Sequence, residues 1–163
     1  MNKLNIGKRS NAKFASIIAG VAIGLGVLLV ALGIVLFAFM FKNNENMVLR
    51  IIVLALGALI GGGIALFGVF QIFDININNK LGDIALVTYD EETKVVSFND
   101  IDNGGELTRL NRADVVTIKG PDLFFLKRLY VVYKDGEKNR KISVGFTDDK
   151  HEDLLKEFEN IHK

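Results

Sequence analysis

Residues 14–41 read FASIIAGVAIGLGVLLVALGIVLFAFMF, a run of 28 residues without a charged side chain. As an α-helix rising about 1.5 Å per residue, this run would reach about 42 Å. The hydrocarbon core of a bilayer is about 30 Å thick, so such a helix can cross it with some tilt. We therefore predict a first transmembrane helix over residues 14–41.

A second apolar run follows a short polar break. Residues 51–73 read IIVLALGALIGGGIALFGVFQIF, in which Gln71 is the only strongly polar side chain. This pattern predicts a second transmembrane helix over residues 48–73 and a helical hairpin over residues 14–73. Pumps and selective channels normally carry ionisable residues inside the membrane, and neither run has one, so we expect the hairpin to anchor or to associate.

The charges are distributed unevenly. Residues 1–73 carry six basic side chains against one acidic, a net charge of +5, whereas residues 74–163 carry 14 against 18, a net charge of −4. Basic residues are retained on the cytoplasmic side of a membrane, so the basic amino terminus, residues 1–13, predicts an N-in, C-in topology. A phosphate-binding surface is net basic, so the acidic carboxy-terminal part argues against a nucleic-acid partner.

Small residues mark where the two helices could touch, because backbones approach closely where side chains are small. Heptad spacing relates Ala19, Gly26 and Gly33, and Gly68 extends the second helix's series. The pattern is compatible with docking to another copy or a larger assembly, and equally with packing inside the hairpin. The predicted helix-packing residues are Gly20, Gly24, Gly57, Gly61 and Ala65.

The rest of the chain reads as a polar linker, residues 74–83, and a soluble domain, residues 84–163. Alternating apolar residues predict strands over 84–89, 94–98, 106–110, 113–119, 126–133 and 141–146. Asp135 and Gly136 give the strongest hairpin signal. The chain should end in an amphipathic helix with an apolar stripe formed by Leu154, Leu155, Phe158 and Ile161, opened by a capping box of Asp149 and Glu152.

The order of two membrane helices, several antiparallel strands and one carboxy-terminal helix resembles that of the bacterial pleckstrin-homology-like (PH-like) membrane proteins. The likeness is clearest over residues 108–161. There the apolar positions of the family's central strand are matched by Leu110, Val115, Val116 and Ile118, and Gly120 and Pro121 begin its following turn. The resemblance implies a membrane-anchored α+β protein, in which an antiparallel PH-like sheet or partly open barrel is capped by the last helix. It also implies a bacterial plasma membrane.

No grouping of residues indicates catalysis, a cofactor or a metal. The chain has no cysteine, and His151 and His162 lie eleven residues apart, which is not a zinc-binding spacing, so both are expected at the surface. The first hairpin loop, Asp90–Glu92, is acidic and would repel a phosphoinositide. We expect the protein not to be an enzyme.

One basic cluster is a candidate surface for anionic lipid or a partner. The alternative is an ordinary solvated face, because Asp135 and Glu137 interrupt the cluster. Its members are Lys127, Arg128, Lys134, Lys138, Arg140 and Lys141.

The resulting hypothesis is a non-enzymatic integral membrane protein that presents a cytoplasmic interaction domain. It would serve as a scaffold or accessory subunit of a membrane assembly, with membrane lipids and a protein partner, or another copy of itself, as its contacts. The alternatives are an immunity factor against membrane-active peptides, which the resemblance suggests, and a module that binds anionic lipid surfaces.

Overall fold

The structure is a computed structural model that describes residues 3–43, 46–82, 84–120 and 127–161. It divides into a helical unit, Ser16–Phe73, and a globular unit formed by Met1–Ala15 together with Asp74–Lys163. The globular unit is therefore built from both ends of the chain.

Two long helices are confirmed. Helix α1 spans Lys13–Asn43 and helix α2 spans Met47–Lys80. Both are long and apolar enough to cross a membrane, and most of their large apolar side chains are exposed. Water would penalise so much exposed apolar surface, whereas lipid would not.

The predicted linker over residues 74–83 is wrong, because α2 continues as a helix to Lys80. Ile75 and Asn78 lie about one turn apart on α2, and both are buried in the globular unit. Packing of this helix face outweighs the weak helix propensity of the asparagines, since tertiary contacts supply most helical stability in proteins.

The amino-terminal segment is a strand as well as a basic tail. Strand β1, Lys3–Lys8, pairs antiparallel with strand β2, Ala85–Asp90. Ile6 lies opposite Val87, and both side chains are fully buried. The predicted domain boundary at residue 84 is therefore wrong, since the first sheet takes its outer strand from residues that precede α1.

The described residues form two antiparallel sheets. The first has the order β1-β2-β3-β4, with β3 at Val95–Asp100 and β4 at Glu106–Asn111. The second has the order β5-β6-β7, with strands Val115–Lys119, Arg128–Asp135 and Lys138–Phe146. The predicted strands are thus confirmed, with small shifts at their ends.

Helix α3, His151–Asn160, completes the globular unit and packs against β5 and β1. Leu154 and Phe158 are buried in the core, and Leu155 and Ile161 pack at its edge, which confirms the predicted apolar stripe.

The predicted capping box at the start of α3 is wrong. Lys150 occupies the N-cap position and makes no side-chain capping bond. The Oδ2 atom of Asp149 instead accepts a hydrogen bond from the backbone N–H of Lys8, at 2.8 Å. The side chain that could have capped α3 therefore joins the end of β1 to the segment before α3.

Candidate functional site

A buried asparagine joins three distant segments of the globular unit. Asn78 is fully buried near the end of α2. Its Oδ1 accepts hydrogen bonds from Nη1 of Arg9, at 2.9 Å, and from the backbone N–H of Phe146, at 3.1 Å. Its Nδ2 donates to the carbonyl of Ser10, at 2.8 Å. We call Arg9, Ser10, Asn78 and Phe146 the Asn78 node.

Arg9 brings a buried cation into this node. Its Nη1 also donates to the carbonyl of Val144, at 3.1 Å, so these bonds go to neutral oxygens. Burial lowers the pKa of Arg9. A Cβ at Gly145 would clash with the Arg9 guanidinium and lie 2.7 Å from Oδ1 of Asn78, and Gly145 has a φ of +134°. A glycine is needed where the backbone passes so closely.

A second contact of α2 lies one turn before Asn78. Asp74 forms an ion pair with Arg128 on β6, and the Arg128 guanidinium also lies 5.0 Å from the ring centre of Phe146. Arg128 is buried, so its predicted place in an exposed basic surface is wrong. Asp74 and Asn78 together fix the end of α2 to β6 and β7.

The remaining members of the predicted basic cluster are exposed but do not form one patch. Lys127, which directly precedes β6, forms an ion pair with Asp148 at 2.8 Å. Arg140 forms one with Asp135 at 2.6 Å near the turn of the β6–β7 hairpin. The structure therefore separates Lys127 from the other exposed members, which are Lys134, Lys138, Arg140 and Lys141.

Strand pairing adds a lysine that the sequence did not indicate. Lys119 on β5 lies opposite Tyr130 on β6, and Lys141 on β7 lies opposite Val132. Lys134 is two residues further along β6, on the same side as Tyr130 and Val132, because side chains alternate across a sheet. We call Lys119, Tyr130, Val132, Lys134 and Lys141 the lysine face.

Glycines line the contact between α1 and α2 within the helical unit. A Cβ on Gly26 would lie 2.5 Å from the carbonyl oxygen of Gly61, and one on Gly57 would lie 3.0 Å from Cα of Gly33. Ala65 also meets Gly26, so the predicted packing of Gly57, Gly61 and Ala65 occurs inside the hairpin. We call this contact the glycine seam.

Gly20 and Gly24 lie outside the glycine seam. Both are exposed, and a Cβ on either would meet nothing within 4 Å. Their predicted role in helix packing is not fulfilled within the described hairpin. An association through them with another helix stays a prediction.

His151 differs from the expectation of a surface residue. His151 is half-buried, and its Nε2 accepts a hydrogen bond from the backbone N–H of Gly120, at 3.4 Å. His162 lies outside the described residues. His151 therefore has a structural contact that joins α3 to the end of β5.

The acidic loop of the first hairpin also has a structural role. The carboxylate of Asp90 accepts hydrogen bonds from the backbone N–H groups of Glu92, at 3.0 Å, and Thr93, at 3.2 Å. The bond from Thr93 is the main reason that the pKa of Asp90 lies below its ordinary value. Asp90 thus shapes the turn between β2 and β3 and stays charged.

No known protein family, curated protein or solved structure matches this chain.

Proposed function

We propose that the protein is a non-enzymatic, membrane-anchored interaction protein that acts as a scaffold or accessory subunit of a membrane assembly. Helices α1 and α2 would cross the plasma membrane as a hairpin and hold the globular unit at its cytoplasmic side. The protein partner would bind through the globular unit or through the free faces of the helices.

The pairing of β1 with β2 carries this proposal. β1 precedes α1 and β2 follows α2, yet five registered residue pairs place them side by side in one sheet. A folded sheet cannot have strands on opposite sides of a bilayer, so the ends of the hairpin must lie on the same side. Lys8 and Arg9 precede α1 and Lys13 is its first residue, and their charge favours the cytoplasmic side.

The globular unit is proposed to be a PH-like domain of the bacterial type. A four-stranded and a three-stranded antiparallel sheet, followed by one helix, support this assignment. In this reading the membrane hairpin is an insertion between the first and second strands of the domain. The immunity role stays a prediction from the resemblance.

Cysteine labelling tests the topology. Because the chain has no native cysteine, only the introduced cysteine can react. We expect Met47→Cys, at the start of α2, to react with a membrane-impermeant maleimide on intact cells. Asn139→Cys, in the β6–β7 hairpin, should react only after the cells are permeabilised. Labelling of both positions on intact cells would contradict the cytoplasmic placement, and extraction of the protein by alkaline carbonate would contradict the membrane anchor.

Purification of the tagged full-length protein in a mild detergent tests the accessory role. We expect a partner in fixed stoichiometry by mass spectrometry and native mass. Gly20→Leu and Gly24→Leu should weaken that association if the free glycines of α1 contact the partner, and Gly63→Leu is a matched control because a Cβ there also meets nothing within 4 Å. A protein that purifies alone as a monomer would overturn the accessory role.

A further inference from the structure

We infer that the lysine face of the three-stranded sheet rests on the surface of an anionic bilayer. This inference depends on the proposed membrane anchor, but it does not depend on the identity of any protein partner. It assigns the lipid contact to a sheet face, whereas the sequence indicated a run of basic residues along one hairpin.

The arrangement of charge on this face favours an anionic ligand. Lys119, Lys134 and Lys141 are all exposed and come from three adjacent strands, which lie about 5 Å apart. Asp135 is not on this side, because it alternates with Lys134 along β6, and it is bonded to Arg140. Asp102 lies near the face, where its Oδ2 accepts the backbone N–H of Ser143 at 3.2 Å. Asp74 also approaches this side, because its partner Arg128 lies two residues before Tyr130 on β6. Among the described residues three lysines therefore stand against two carboxylates, and Asp74 is already paired with Arg128.

Tyr130 gives the lysine face an amphipathic centre. Its ring is half-buried, and Nζ of Lys141 lies 3.8 Å from the ring centre. Tyrosine is enriched at membrane interfaces, where its ring contacts apolar groups and its hydroxyl reaches water. Lysine can likewise bury its methylene stem and keep its ammonium group near phosphates. The combination suits a lipid headgroup layer.

A bilayer explains these features better than an acidic protein segment does. Three lysines attract an anionic surface too weakly to recruit a free domain, but the hairpin would keep the globular unit at a high local concentration beside the membrane. The globular unit, Met1–Ala15 with Asp74–Lys163, carries 18 basic and 18 acidic side chains, so its net charge is zero. Net attraction to an anionic surface therefore requires a local cluster of cations such as the lysine face.

A single tryptophan placed on the lysine face tests this inference, since the chain has none of its own. The full-length Tyr130→Trp protein is placed in nanodiscs of phosphatidylcholine alone or mixed with phosphatidylglycerol, each with brominated phosphatidylcholine as quencher. We expect at least about twofold stronger quenching, with a blue-shifted emission, in the anionic discs. About 1 M salt, where the Debye length is about 3 Å, should remove the difference.

Charge-reversal variants identify the surface that causes the stronger quenching in anionic discs. Lys119→Glu and Lys141→Glu should each reduce the quenching difference, and Lys156→Glu, on the exposed side of α3, should leave it unchanged. Asn139→Trp, exposed on β7 opposite Lys134, provides a second reporter if Tyr130→Trp disturbs the fold.

Each remaining outcome overturns the inference. Equal quenching in neutral and anionic discs would contradict the proposed bilayer contact. Binding of polyglutamate at the lysine face without any response to lipid would contradict it as well. Co-elution of protein and nanodisc is measured first, because a protein that fails to insert contradicts the membrane anchor itself.

Discussion

Replacing Asn78 by leucine is expected to destabilise the globular unit by about 4 kcal/mol or more. The side chain is fully buried, and its loss would leave the Arg9 guanidinium, the Phe146 N–H and the Ser10 carbonyl each without one partner. Each buried polar group left unsatisfied costs about 1–3 kcal/mol. Since a domain is stable by only about 5–15 kcal/mol, this loss would remove a large part of the free energy of unfolding. Urea unfolding in detergent, followed by tyrosine fluorescence, measures the change, because all three tyrosines lie in the globular unit.

Two variants separate this polar role from simple loss of packing. Asn78→Asp keeps an acceptor for Arg9 and Phe146 and is expected to lose less stability than Asn78→Leu. Combining Arg9→Met with Asn78→Leu should recover part of the loss, because it removes the uncompensated buried charge. If Asn78→Leu unfolds at the same urea concentration as the unchanged protein, the Asn78 node does not hold the three segments together.

The features that the sequence predicted correctly are those specified by local pattern. The helices follow from long apolar runs, and the β6–β7 hairpin follows from Asp135 and Gly136, which has a φ of +63° in the turn. The apolar stripe of α3 needs only a 3.6-residue period. None of these features requires knowledge of a distant partner.

The features that the sequence missed depend on partners far along the chain. Strand β1 has only Leu4 and Ile6 as an alternating signal, and it gains its stability from a strand more than 75 residues away. Residues 74–80 look like a linker until Ile75 and Asn78 are seen to be buried. Such segments are ordered by tertiary contacts that outweigh weak local preferences.

The membership of the predicted basic cluster also depends on ion pairing and strand pairing. Arg128 was counted among exposed cations, but Asp74 and Phe146 bury it. Lys119 was not counted, and the register of β5 with β6 brings it beside Tyr130. The sequence shows that residues 119–141 are rich in basic side chains, but the register of the strands determines which of these side chains share one side of the sheet.

Gly61→Leu is expected to separate α1 from α2, whereas Gly62→Leu at the next position is expected to have little effect. A Cβ on Gly61 would lie 2.6 Å from the Gly26 carbonyl oxygen, so the backbones must move apart. Around Gly62 a Cβ meets nothing within 4 Å, and leucine there would face lipid in the proposed membrane hairpin. Close backbone packing is a main source of helix association in a bilayer, where the hydrophobic effect does not drive helices together.

A pair of pyrene labels can follow this separation, because the chain has no native cysteine. Leu36→Cys and Ile52→Cys are exposed positions on α1 and α2, near the level of the Gly33–Gly57 contact. Excimer emission in nanodiscs should fall severalfold with Gly61→Leu and persist with Gly62→Leu. Equal emission from the two variants would mean that the glycine seam does not hold the hairpin. Loss of excimer together with an unchanged urea midpoint for the globular unit would show that β1–β2 pairing and the Asn78 node keep that unit folded without the seam.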